Sequence, residues 1–132
     1  MFPYRLTPKK DTLKTQEHFY YATAIKVGSL EEEALIASLS ERSKLHPVDC
    51  ERLLYHLADV MGETLMEGKT VSLPNFGIFR ATISSKGVAT PKDFKKEFIK
   101  GLRIAFLPHK RMKAKMKATQ FKQIRESGKS KL

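Results

Sequence analysis

HPVDCERLLYHLADVMGETLMEGKTVSLPNFGIF, residues 46–79, is the stretch whose reading decides the fold. Pro47 suits the first helical position, where its missing N–H costs nothing, and Asp49 sets a negative charge against the N-terminal helix dipole. Leu53, Leu54, Leu57, Val60, Met61 and Leu65 recur at steps of one, three or four, which draws one broad apolar face. Gly68 falls where a left-handed C-cap belongs, so the helix should stop at Glu67. Beyond it Val71 and Leu73 alternate with polar neighbours, as in a half-buried strand. Asn75-Phe76-Gly77 reads as a turn, and Phe79 starts a second strand.

The run Gly68, Val71, Leu73, Phe76-Gly77 and Phe79 resembles the helix-to-strand signature of the HU/IHF nucleoid proteins. The likeness extends back through Leu65, Leu57 and Leu45 to Leu39, Ile36 and Leu35. It covers residues 30–81 and resumes more weakly over residues 103–118. A short-armed branch of that family, with an extra N-terminal strand pair, resembles the chain better still. The resemblance implies an α+β fold, with a helical hairpin packed on a small antiparallel sheet, a β-hairpin arm and a short C-terminal helix. It divides the chain into an N-terminal β-hairpin extension (1–28), an HU/IHF-like domain (29–118) and a basic flexible tail (119–132).

The remaining elements are read from local pattern. Residues 19–25, rich in aromatic and β-branched side chains, form a strand, and residues 4–9 its hairpin partner, with Pro8 confining that partner to an edge or ending it. Phe19, Tyr20 and Tyr21 either pack a strand onto a helix layer or stack bases of single-stranded nucleic acid. Ser29 with Glu32 makes a capping box that opens a helix at Leu30, with Glu31, Glu32 and Glu33 in its first turn and an end near Ser43. His46 stands at the N-cap of the next helix. His56 and His109 lie on other elements without paired spacing, so no metal site is expected. Leu102, Ile104 and Phe106 mark a third strand, and Pro108 should open the last helix, which Lys110, Arg111, Lys113, Lys115 and Lys117 crowd. The family's long arm ends in a Gly-Arg-Asn-Pro tip whose proline wedges between base pairs. Here the interval is shorter and the tip motif absent, and Pro91 reads as an ordinary turn residue.

A net charge of +11 over 132 residues is sorted along the chain. Residues 1–28 carry +3, residues 29–67 −6, residues 68–107 +6 and residues 108–132 +8. Acid thus gathers on the helical hairpin, and base on the strands and the C-terminal part, so that one face meets a polyanion. One cysteine, Cys50, excludes an intrachain disulfide and suits a reducing compartment. No secretory leader or bilayer-spanning run is read, so a cytoplasmic protein on the nucleoid is expected.

No serine–histidine–acid grouping and no phosphate-cradling glycine loop is present, so neither an enzyme nor a cofactor or small-molecule substrate is expected. The reading is sequence-tolerant binding of double-stranded DNA, with DNA condensation as in bacterial chromatin. Arg80, Lys86, Lys92, Lys95, Lys96, Lys100, Arg103, Lys110, Arg111 and Lys113 would contact phosphates. The helical stripe is wider than one partner helix covers. Either the sheet takes the excess or, as the resemblance implies, a homodimer buries it through Leu53, Leu54, Leu57, Val60, Met61, Leu65, Phe76 and Phe79. Two alternatives stay open, an RNA-binding protein and a protein-binding dimer that retains the fold without DNA.

Overall fold

The computed structural model describes residues 1–10 and 18–125, with side chains at 10 and 18 set aside. The chain forms two compact units, one of Met1–Leu30 with the chain from Met116 onward, the other Glu31–Lys115.

The first unit is a three-stranded sheet. Strand β1 (Phe2–Lys10) pairs antiparallel with β2 (His18–Ala24), register Tyr4 to Ala24 and Leu6 to Ala22. On its other flank β1 pairs in parallel with β6 (Phe121–Gln123). Residues from Thr119 onward were expected to be flexible tail, and β6 corrects that for Phe121–Gln123. The strand is held by Phe2 N–H donating to Gln120 O (2.7 Å), Ile124 N–H donating to Tyr4 O (2.8 Å) and the edge-on contact of Phe121 with Phe2. The rest of that tail from residue 126 lies outside the described residues. Pro8 does not end β1. It lies past the reach of β6, which flanks only Phe2, Pro3 and Tyr4, so its lost donor breaks no ladder on that side.

The second unit holds the helical hairpin. Helix α1 spans Glu32–Ser43, two residues later than the capping box placed it. The N-cap is Glu31, with no side-chain cap bond. The Glu32 carboxylate, which the box would turn back onto the backbone, instead accepts from Tyr55 Oη at 2.7 Å. Lys44 in the left-handed region closes α1 with its N–H on Ser40 O. Helix α2 (Pro47–Met66) starts as expected, with Pro47 at its first position and His46 Nδ1 accepting from Val48 N–H at 3.1 Å. It stops one residue before Glu67, and Gly68 takes φ +84°. Cys50 and Leu65, on the inner line of α2, are the buried side chains among the described residues.

Strands β3 (Val71–Leu73), β4 (Gly77–Ser85) and β5 (Ile99–Pro108) form an antiparallel sheet in that order. Their register puts Val71, Phe79 and Phe106 on one line and Leu73, Gly77 and Pro108 on another. Phe76, Phe79 and Phe106 close a triangle with ring centroids 4.8–6.0 Å apart. Gly77, at φ +155°, makes the triangle possible, because a Cβ there would meet the Leu107 carbonyl and the Phe106 ring. Pro108 ends β5 rather than opening the last helix. It pairs with Gly77, and His109 takes the capping role, its Nδ1 accepting from Arg111 N–H at 3.0 Å. Helix α3 follows as Lys110–Ala118.

Two predictions follow from these contacts. Gly77→Ala should cost about 2 kcal/mol or more in urea unfolding, since both its φ and the ring behind it oppose a side chain. A cost below a few tenths would show that the turn reshapes freely. The second concerns Tyr55, whose phenol is pushed up to about 12 by its hydrogen bond to Glu32 and that residue's charge, with Glu51 adding to both effects. A phenol raised in the folded state contributes stability fully below its ordinary pKa of about 10 and loses it as pH climbs toward 12. In an absorbance titration one of the four tyrosines should therefore ionise late, and Tyr55→Phe should delete that step.

Candidate nucleic-acid interface

Alternation along β4 and β5 divides their sheet into two faces. Phe79, Ala81 and Ile83 share one face with Phe106, Ile104 and Leu102, their cross-strand partners. The opposite face carries Arg80 and Thr82 on β4, opposite Ala105 and Arg103 on β5. Arg80 and Arg103 are thus diagonal neighbours on one surface, with small and hydroxyl side chains between them. Lys100 occupies the irregularity where the register slips between Ser84 and Ser85.

The segment joining β4 to β5 is a compact loop rather than an extended arm. Lys86 N–H donates to Phe98 O at 2.9 Å, and its ammonium lies 4.9 Å from the centre of the Phe98 ring. Phe94 meets Phe98 edge-on at 5.9 Å. Two 3-10 turns fill the interval, Pro91–Asp93 and Lys96–Phe98. Pro91 starts the first of them, and Thr90 Oγ1 donates to Asp93 Oδ2 at 3.0 Å. A proline so engaged serves the turn. Lys92, Lys95 and Lys96 ride on these turns and all are exposed.

Lys110, Arg111 and Lys113 lie in the first four positions of α3, and Met112 is half-buried beneath them. His109 N–H donates to Phe76 O at 2.8 Å, which ties the start of this helix to the turn before β4. Among the described residues none of the ten basic side chains named from the sequence is held in an ion pair, and all ten are exposed. Arg80 and Arg103 share a face, Lys86 through Lys100 gather at the hairpin end, and the α3 residues form a third group. Asp93 and Glu97 sit among the lysines of the hairpin end, whereas seven acids lie on the helices: Glu32, Glu33 and Glu41 on α1, and Asp49, Glu51, Asp59 and Glu63 on α2.

The residues named for a dimer interface separate into two sets. Leu65 is buried within the chain, and Leu54, Leu57, Met61 and Phe79 are half-buried there. Leu53 and Val60, seven residues apart on one line of α2, stay 63% and 58% exposed, and Phe76 is also exposed. Sequence periodicity missed the apolar far end of the hairpin, where Ile83, Leu102 and Ile104 are exposed. Their alternation is visible in the sequence, but nothing local shows that they stay exposed. No group of three metal-ligating side chains occurs among the described residues, and no described helix is long and apolar enough to cross a membrane.

The sequence matches no curated protein. Among solved structures, a Bacteroides vulgatus ATCC 8482 protein described as a proposed bacterial DNA-binding protein is similar over 93% of this chain, at 13% identity and TM-score 0.64. The chain spans 48% of that protein, about half its length. A mutant of HU from Thermotoga maritima is similar at 19% identity and TM-score 0.48, over 65% of this chain and 97% of that one. Anabaena HU, solved with DNA, gives 18% identity and TM-score 0.48, over 62% and 91%. A family model described as an HU domain fused to wHTH, Ig, or glycine-rich motif matches residues 2–123. Matched over nearly its whole length, the chain belongs to this HU-HIG family.

Proposed function

We infer that the chain binds double-stranded DNA with little sequence preference, as a homodimeric, non-enzymatic architectural protein of the bacterial nucleoid. The observation that carries this reading is the separation of charge within the Glu31–Lys115 unit. Ten exposed, unpaired basic side chains lie on the sheet, its hairpin end and α3, while α1 and α2 hold seven acids. Such a surface replaces the counterions condensed on a phosphate backbone, and the helical side repels it, so docking has one orientation. The Arg80–Arg103 face carries no amide or acid side chain, and its two guanidinium forks fit phosphate oxygens, which favours phosphate contact over base readout. The missing arm tip and the turn-bound Pro91 argue against kinking by a proline wedge.

Self-association is the second part of the reading. A unit of this size rarely stands on two buried side chains, and its exposed apolar residues Leu53, Val60, Leu102 and Ile104 lie on the helical hairpin and the hairpin end. A second copy packing across a two-fold axis would cover them, as would be usual for an obligate pair.

With about six phosphates neutralised, log affinity for random-sequence duplex should fall with log salt at a slope near −5 in mobility-shift titrations. A salt-insensitive complex would defeat the reading. The combined variant Lys95→Glu, Lys96→Glu and Lys100→Glu should abolish the shift while leaving the unfolding midpoint nearly unchanged, because these are exposed positions. Sedimentation should find a dimer at micromolar concentration, and Leu53→Asp with Val60→Asp should leave monomer or unfolded chain. A wild-type monomer that unfolds cooperatively would contradict the dimer.

A further inference from the structure

None of the ten basic residues named for the duplex lies in the Met1–Leu30 unit with the chain from Met116. Cross-strand partners share a face, so the register sorts its side chains. Phe2, Tyr4, Leu6, Ala22, Ala24 and Phe121 lie on one, mainly apolar face, which Tyr20 and Gln123 share. Arg5, Lys9 and Lys122 make the other, together with Phe19, Tyr21 and two threonines. Two aromatic rings thus stand among cations on the charged face.

Phe19 and Tyr21 are 47% and 48% exposed. They sit two residues apart on β2, roughly 6.6 Å along the strand, so both present to one side. Lys9 is the cross-strand partner of Phe19, and its ammonium stands 5.5 Å from the centre of the Tyr21 ring. Thr7 and Thr23 join across the sheet through their hydroxyls at 2.7 Å, which stiffens the floor beside the rings. The cations of this unit within the described chain are Arg5, Lys9, Lys10, Lys26, Lys117, Lys122 and Arg125, while its acids Asp11, Glu17 and Glu126 lie outside the described residues. Exposed rings on a flat strand surface, set among cations, match what an unpaired nucleic-acid strand requires. Bases stack on the rings and phosphates pair with the cations. A duplex keeps its bases stacked on one another and cannot use the rings.

We propose that this face binds single-stranded nucleic acid, with Phe19 and Tyr21 each stacking a base and Lys9, Arg5 and Lys122 holding the backbone. Its residues all belong to the first unit, and the proposal does not rest on the duplex reading.

The chain contains no tryptophan, so Tyr21→Trp introduces a single indole at the platform. Stacking of a base quenches such an indole directly. Short thymidine and uridine homopolymers should each be tried, because the two arms separate a DNA strand from an RNA strand. Saturable quenching by either, with no quenching by an equal concentration of duplex, is expected. Adding Phe19→Ala should weaken that binding about 5- to 100-fold, the loss of one stacked base, with unchanged circular dichroism. Quenching should persist when Lys95, Lys96 and Lys100 are replaced by Glu, which separates failure of this site from failure of the duplex reading. No quenching by either homopolymer, or quenching that disappears with the hairpin substitutions, would overturn the proposal.

Discussion

The absence of a side chain at Gly77 is the constraint on which the Glu31–Lys115 unit depends. It lets the Phe106 ring and the Leu107 carbonyl approach the β4 backbone closely enough to complete the triangle with Phe76 and Phe79. That contact sets the β4–β5 register from Gly77 opposite Pro108 outward, and so decides that Arg80 and Arg103 emerge on the same side. It also fixes the carbonyl of Phe76, which receives His109 N–H and thereby starts α3 beside the sheet. One missing Cβ thus governs the placement of two of the three basic groups.

Charge is distributed so that the aromatic triangle carries none of it. The apolar side of the sheet and the inner line of α2 supply the small interior, and the acids sit on the outer surface of the helices. Because so little is buried, the unit has little stability to spare. In the proposed homodimer a second copy covers the same apolar residues that leave the unit thin. Stability and assembly are then one property.

Much of this was legible in the sequence because it rests on short-range pattern. The α2 boundaries follow from Pro47 and Gly68, the strands from alternation at Val71, Leu73, Leu102 and Ile104, and the turn from Asn75-Phe76-Gly77. The misreadings lie where a distant partner outweighs a local signal. Tyr55 draws Glu32 away from a capping box that looked complete, and the ladder claims Pro108 from a helix start that looked equally good. Strand β6 has only three residues, and its partner lies at the other end of the chain, so no window around Phe121 could announce it. The ten basic residues named from the sequence are exposed, and their division into three groups follows from the register and from the placement of the loop and α3, which no local pattern shows. The two faces of the N-terminal sheet were likewise hidden. Phe19, Tyr20 and Tyr21 are adjacent in sequence and divide between opposite faces once β1 is paired.

Backbone amide shifts of the labelled protein, followed as a random-sequence duplex is added at low salt, test the central claim most directly. The account predicts changes along β4 and β5 around Arg80 and Arg103, in the loop carrying Lys92, Lys95 and Lys96, and at the start of α3, with the acidic surface of α1 and α2 undisturbed. Changes concentrated on the helical hairpin, or none anywhere at saturating duplex, would contradict it.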